Sequence, residues 1–252
     1  MSKLIKTQAE IDTIAEGGKI LRDILQRTAE LVKPGVTTFR LDEFADAEIG
    51  KAGGRPSFKG YGPKKNPFPA ALCTSVNDEV VHGIPSKMRI LQMGDIISLD
   101  IGMEYKKLYT DTAITVGVGG ISSKAQRLIA ATKKSLDAAI KQVRPGNKIG
   151  DISAAIQQTV ESAKFSVVRD LVGHGVGHEV HEDPAVPCFG KAGTGQKLEA
   201  GMVLAIEPMV CEGEYFLNYS ADGWTITTMD GGMAAHFEHT VAVTKDGVRI
   251  LT

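Results

Sequence analysis

The chain has 252 residues with 29 basic and 30 acidic side chains, a formal charge of −1, so it lacks the basic footprint of a nucleic-acid binder. Hydrophobic residues make up 42%, ordinary for a globular protein, yet no apolar run reaches the roughly 18 residues of a membrane span, and Met1–Glu10 lacks the apolar stretch of a signal peptide. Cys73, Cys188 and Cys211 form no CxxC pair and leave one odd, which suits a reducing cytoplasm better than a disulfide scaffold.

Thr7-Gln8-Ala9-Glu10 reads as a capping box. Ile11, Ile14, Leu21, Ile24, Leu25, Leu31 and Val32 follow at helical spacing, which predicts an amphipathic helix over 8–33. Lys33-Pro34-Gly35 stops it, and a second helix fits 38–52, closed by Gly53-Gly54. Residues 54–70 carry Gly, Pro and Lys with little periodicity and are expected to form a loop. Strand-like runs follow at 71–76, 79–82, 96–103 and 109–117. Then the pattern restarts. Helices are expected at 122–143, stopped by Arg144-Pro145-Gly146, and at 150–163; strands are expected at 165–172, 202–210, 214–219, 224–229 and 235–244.

The restart is an internal repeat. Val32-Lys33-Pro34-Gly35 matches Val143-Arg144-Pro145-Gly146 at an offset of 111. Val80–Pro85 matches Glu179–Pro184 at 99, and Leu91-Gln92-Met93-Gly94 with Asp100 matches Leu198-Glu199-Ala200-Gly201 with Glu207 at 107. Tyr109–Thr112 matches His236–His239 at 127. Four matches in order predict two helix-helix-sheet halves, roughly 1–120 and 121–252, related by a pseudo-twofold axis. Neither half can cover its own sheet, so one fused α+β domain over 1–252 is expected.

The repeat puts an acid at each of four equivalent places. Asp100 and Glu207 sit in apolar strands, where an ionised carboxylate costs several kcal/mol unless paired or bound to metal. Asp111 and Glu238 open the next strand in each half. Taken singly, any of these acids reads as an ordinary strand-end residue. Placed together on one axis they would repel, and two divalent cations about 3.5–4 Å apart, bridged by carboxylates, are the usual hydrolase solution. Gly173-His174-Gly175-Val176-Gly177-His178 adds an imidazole ligand in a glycine-rich setting that lets a ligand approach. His82 and His181 are repeat partners and should flank the metals on opposite sides, suited to a substrate carbonyl or an oxyanion. His178, His236 and His239 are read as structural.

Val81-His82-Gly83-Ile84-Pro85, Asp100-Ile101-Gly102, Tyr109-Thr110-Asp111, Gly173-His174-Gly175-Val176-Gly177, Ala205-Ile206-Glu207-Pro208 and Glu238-His239-Thr240 resemble the motif set of the bacterial-type methionine aminopeptidases across essentially the whole chain. The resemblance implies the pita-bread fold, two pseudo-twofold-related helix-helix-sheet halves around a central antiparallel sheet. It implies that Asp111 and Glu238 bridge two metals, that Asp100 chelates one, and that His174 and Glu207 complete the other. The short form is expected, without a zinc-binding extension or an extra N-terminal domain. The activity implied is removal of the N-terminal methionine from peptides and nascent chains with a small second residue, by attack of a metal-bridging hydroxide on the first peptide bond. Glu207 would handle the proton, His181 would stabilise the oxyanion, His82 would contact the scissile amide, and Asp100 would meet the α-amino group.

One nitrogen and four carboxylates favour Mn, Fe(II) or Co, with Zn also within reach. By resemblance the methionine pocket is walled by Phe58, Tyr61, Cys73 and Trp224, with Val180 as an addition; packing in the core is the competing reading for each aromatic. The chain departs from the family where Pro63-Lys64-Lys65-Asn66-Pro67 lengthens the join before Phe68-Pro69, and this loop is expected to rim the pocket. Lys59, Lys64 and Lys65 read as a solvated rim. The expected partners are peptide or nascent-chain substrates met at the ribosome, with no nucleic acid and no membrane. A cytoplasmic monomer is expected. Two other readings stand beside this one: cleavage before proline on the same fold, and a catalytically dead binding module, against which all five ligands are kept.

Overall fold

The computed structural model describes residues 4–252; the Met1-Ser2 start, itself a methionine before a small residue, lies outside them. Thr7 caps the first helix as its sequence requires. Its hydroxyl accepts from the Glu10 N–H at 3.3 Å while the Glu10 carboxylate accepts from the Thr7 N–H at 2.7 Å, starting α1 (Gln8–Glu30). There follow α2 (Thr38–Lys51), β1 (Arg55–Pro56), β2 (Leu72–Val76), β3 (Glu79–Val81), β4 (Ile96–Tyr105) and β5 (Leu108–Gly117). The second half opens with α3 (Ser123–Ile140), α4 (Ile149–Ser162), β6 (Ser166–Val167), β7 (Val172–Gly175), β8 (Glu182–Pro187) and β9 (Val203–Ile206). It closes with β10 (Met209–Cys211), β11 (Leu217–Tyr219), β12 (Ile226–Thr228), β13 (Ala234–His236), β14 (Glu238–Thr244) and β15 (Gly247–Ile250).

Three expected strands are broken, each for a local reason. The run at 202–210 splits at Glu207-Pro208, where proline has no N–H for the ladder. The run at 235–244 splits at Phe237. The run at 165–172 ends early because Arg169 and Asp170 are exposed, and a new strand, β7, then carries the Gly-His-Gly segment that the sequence suggested was loop. β8 contains two prolines and gave no strand signal. β15 returns from β14 through the two-residue turn Lys245-Asp246, with Thr244 paired to Gly247. Among the described residues, no helix is long and apolar enough to cross a membrane.

The main sheet runs β1-β4-β5-β14-β9-β7-β8, with β2 also on β4 and β15 also on β14. Every pairing in it is antiparallel. Leu21, Ile24, Leu25, Leu41 and Ile49 of α1 and α2 pack on Ile97, Leu99, Ile101 and Met103 of β4. In the second half Leu128, Leu136, Ile152, Ile156 and Val160 of α3 and α4 share a cluster with Leu204 and Ile206 of β9 and Val241 and Val243 of β14. Each helix pair thus covers the outer face of its own half, and alternation along the strands sends the intervening side chains inward.

The hydrogen bonds repeat with the sequence. Gly35 N–H donates to Leu91 O at 2.8 Å, and Gly146 N–H to Leu198 O at 3.1 Å. Gly94 N–H donates to Val118 O at 3.0 Å, and Gly201 N–H to Val243 O at 2.9 Å. These bonds carry the offsets 111 and 107, but they and the ladders set the fourth offset at 125, not 127. Leu99 pairs with Ile114 and Ile206 with His239. Thr115 Oγ1 both accepts from and donates to the His236 backbone, at 2.8 Å each, and Thr240 Oγ1 does the same for Asp111, at 3.0 and 2.7 Å. Asp111 therefore corresponds to His236, and Glu238 to Ala113. The two-residue slip preserves side-chain direction, which is why the sequence match looked sound. Ala113 and Glu238 pair with each other at the β5–β14 seam, so the axis passes between them.

α1 is held to the C-terminus at close range. A Cβ on Gly18 would lie 2.3 Å from Leu251 O. Gly18→Ala is expected to destabilise the protein by about 1–3 kcal/mol, despite alanine's better helix propensity. A urea midpoint equal to the parent's would show that this contact yields freely.

Candidate metal centre

The inner face of the seam gathers four acids and a histidine. Leu99 and Ile101 face the helices, so Asp100 between them points inward. Asp111 comes from β5, and Glu238 opens β14 opposite Ala113. His174 lies on β7, paired with Ala205 of β9, and Glu207 follows the end of β9 before Pro208. The corresponding pair in the first half is Ser75 with Ser98, so Ser75 stands where the second half has His174.

Ligand atoms of Asp111, His174 and Glu238 all lie within 4.8 Å of one another, a group able to hold a metal ion. Glu207 Oε1 is 3.4 Å from His174 Nε2. His174 Nδ1 lies 2.9 Å from Gly175 O. A carbonyl only accepts, so Nδ1 carries the proton and Nε2 offers its lone pair to the cluster. Asp100 Oδ1 and Glu238 Oε1 are buried without a hydrogen-bond partner, and an orphaned buried carboxylate oxygen is strongly unfavourable. A divalent cation satisfies both, so the donor set fits a metal.

The electrostatics agree. Burial, followed by the neighbouring carboxylates, pushes the Asp111 and Glu238 carboxyls well above the usual range. Burial takes Asp100 up to about 6. Burial also pushes Glu207 upward, but His236 and His174 outweigh it and hold this carboxyl below its usual value. His236 moves the other way: burial opposes its charge, and Glu207 and Asp100 overcome that. Its Nε2 lies 3.5 Å from Glu207 Oε2. His236, read from the sequence as structural, borders the acids. The register of the repeat, which makes it the counterpart of Asp111, was the signal that could have found it. His178 and His239 lie outside, bonded to Glu10 at 2.8 Å and to Thr252 at 3.1 Å.

The acids open into a cavity. Phe58, Tyr61, Cys73 and Trp224 line it, together with Phe68. Phe68 stands just past the lengthened loop, where the Phe-Pro pair marked it. Val180 packs with Phe58, Phe68 and Cys73 but is not on the cavity wall. His82 and His181 both reach the cavity. His82 adopts φ +59, a strained conformation for a non-glycine residue. His181 Nδ1 is 2.7 Å from Tyr61 Oη, and its ring meets that of His174 at 4.3 Å. Burial and His174 bring the His181 imidazole down to about 4, so it is neutral at pH 7.

Residues 12–245 match metallopeptidase family M24. The chain belongs to that family. It is 49% identical over 249 residues to the methionine aminopeptidase of Clostridium acetobutylicum, covering 99% of this chain and 98% of that one. It is 50% identical over 250 residues to the Clostridium perfringens methionine aminopeptidase, with coverage of 99% and 98%. The crystal structure of methionine aminopeptidase from Thermotoga maritima superposes with a TM-score of 0.95 at 45% identity over 98% of both chains. As a member of this M24 branch the chain is a metal-dependent hydrolase with the pita-bread architecture.

Proposed function

We propose that the chain removes N-terminal methionine from peptides and nascent proteins whose second residue is small. The observation that carries this reading is an acid-and-histidine cluster with orphaned carboxylate oxygens, opening directly into an aromatic-walled cavity. In this reading Asp100, Asp111, His174, Glu207 and Glu238 would together hold two divalent ions. Bound there, they would polarise the scissile carbonyl and lower the pKa of a water to about 7. An N1O4 donor set favours Mn, Fe(II) or Co, with Zn also within reach.

The remaining work falls to side chains. Tyr61 occupies Nδ1 of His181, leaving Nε2 for the substrate carbonyl oxygen, where charge develops. His82, across the cavity, would contact the scissile amide and assist the leaving amine. Glu207 would carry the proton, with one oxygen beside His174 and the other beside His236. Asp100 would meet the substrate α-amino group. The wall of Phe58, Tyr61, Phe68, Cys73 and Trp224 suits a flexible thioether. We further propose that the chain acts as a cytoplasmic monomeric catalytic unit on nascent chains. Three free cysteines fit a reducing compartment.

Chelated protein given defined metals should release free methionine from Met-Ala-Ser and leave Ala-Pro peptides intact. Faster cleavage of the Ala-Pro peptide, or no methionine release with any metal, would sink the reading. His181→Ala is expected to lower kcat about a hundredfold, and a loss under about threefold would remove His181 from its role.

A further inference from the structure

The loop that lengthens the chain before Phe68 joins two residues of the pocket wall, Tyr61 and Phe68. Phe68 N–H donates to Tyr61 O at 2.8 Å and Gly60 N–H donates to Phe68 O at 2.8 Å, closing a narrow hairpin whose tip is Gly62–Pro67. Asn66 N–H bonds back to Pro63 O at 2.9 Å, so the tip has its own turn. From that turn Asn66 makes two contacts across more than 150 residues of chain. Its backbone carbonyl accepts from Trp224 Nε1 at 3.0 Å, and its side-chain Nδ2 donates to Asp222 O at 2.9 Å. Gly62 lies at φ +94, and a Cβ there would meet the Trp224 ring at 2.4 Å. The indole therefore rests on bare backbone.

Trp224 is fixed from below as well. Asp222 Oδ1 accepts from the Trp224 and Thr225 N–H groups at 2.8 and 2.9 Å. The ring meets Phe68 edge-on at 5.3 Å and His82 edge-on at 6.2 Å. An indole held at its N–H, its face and its backbone is a rigid wall, and rigid walls discriminate between side chains that differ by a branch or a methylene.

We propose that the 62–67 tip is a latch that sets the position of Trp224, with Asn66 and Gly62 as positioning residues for selection of the first residue of the substrate. The latch touches none of the acids, so it acts on selection and binding, leaving the chemical step alone. The selectivity part rests on the function proposed above; the latch itself does not.

Trp224 is the only tryptophan, so intrinsic fluorescence reports the latch alone. Asn66→Ala keeps the backbone carbonyl that accepts from the indole but removes the Nδ2 bond to Asp222 O, so the tip is no longer tied to the Asp222–Trp224 turn, and the variant is expected to shift emission to longer wavelength and to raise acrylamide quenching about twofold. For Met-Ala-Ser, KM should rise about fivefold with kcat within about twofold, and the preference for methionine over leucine at the first position should fall about fivefold. Asn66→Gln keeps an amide donor and should return both readouts toward the parent. Gly62→Ala, whose methyl displaces the ring directly, should reproduce the Asn66→Ala changes. Emission, quenching and Met:Leu preference all unchanged in both alanine variants would overturn the latch. A fluorescence change without any change in preference would overturn its role in selection. If the parent releases no methionine with any metal, the proposed function falls, and fluorescence still decides whether the loop holds Trp224.

Discussion

Asp111→Asn should abolish methionine release, by at least about a thousandfold, and should at the same time stabilise the metal-free protein. Both effects come from one position. Asp111 sits in the group with His174 and Glu238, and its carboxyl is pushed far up by burial, then by Asp100 and Glu207. A group whose proton is held more tightly in the fold than in the unfolded chain weakens the fold at neutral pH. In the variant the amide oxygen can still accept from the Thr112 N–H, as Asp111 Oδ1 does at 2.9 Å. The new NH2 group turns donors toward neighbouring carboxylates. A gain of about 1–3 kcal/mol in the chelated variant is therefore expected, read by urea denaturation, together with loss of one or both equivalents in a metal titration. Full activity with two metals retained would remove Asp111 from the ligand set.

The chelated parent should lose stability as pH rises through the range where most proteins gain it. Asp100 has its folded value near 6 against an ordinary 3.8. Below about pH 4 it is protonated in both states and changes nothing. Between the two values the unfolded chain releases the proton and the fold keeps it, so stability falls, and above pH 6 the full penalty of roughly 3 kcal/mol has developed. Asp111 and Glu238, displaced upward further, extend the fall to higher pH. Glu207 is displaced downward, so its contribution is present at neutral pH and is lost only on acidification below the usual carboxylate range. Metal binding needs the deprotonated acids and tightens with pH. Urea midpoints of chelated and Mn-loaded protein at pH 5, 6.5 and 8 should therefore diverge, with the gap widest at pH 8. A chelated midpoint that climbs steadily with pH would show that the acids do not repel as they are placed.

Much of this was legible in the chain. The capping box at Thr7 and the stops at Pro34-Gly35 and Pro145-Gly146 fix helix ends through local hydrogen bonding, so the sequence carries them directly. Asp100 stood out because an acid in an apolar strand needs a partner. What escaped was register. Strand β7 reads as loop because its glycines have little intrinsic strand preference, and only pairing with β9 and β8 makes it extended. The place of His236 beside the acids escaped for a related reason: a two-residue slip preserves side-chain direction, so pattern matching cannot detect it, whereas the threonine bridges at 115 and 240 can. The hold of Asn66 on Trp224 joins positions 66 and 224, and no local rule links them.

The seam between Ala113 and Glu238 also limits how such a site can be assembled. These two positions are counterparts and face each other across the axis. A homodimer of identical half-chains would place the same residue at both. With alanine twice, the centre would lack a ligand; with glutamate twice, it would gain an acid at its most crowded point. The same holds for Ser75 and His174, and for Asp111 and His236. Covalent fusion of the halves into one polypeptide lets the two sides differ, and the asymmetric ligand set proposed for this site depends on that difference.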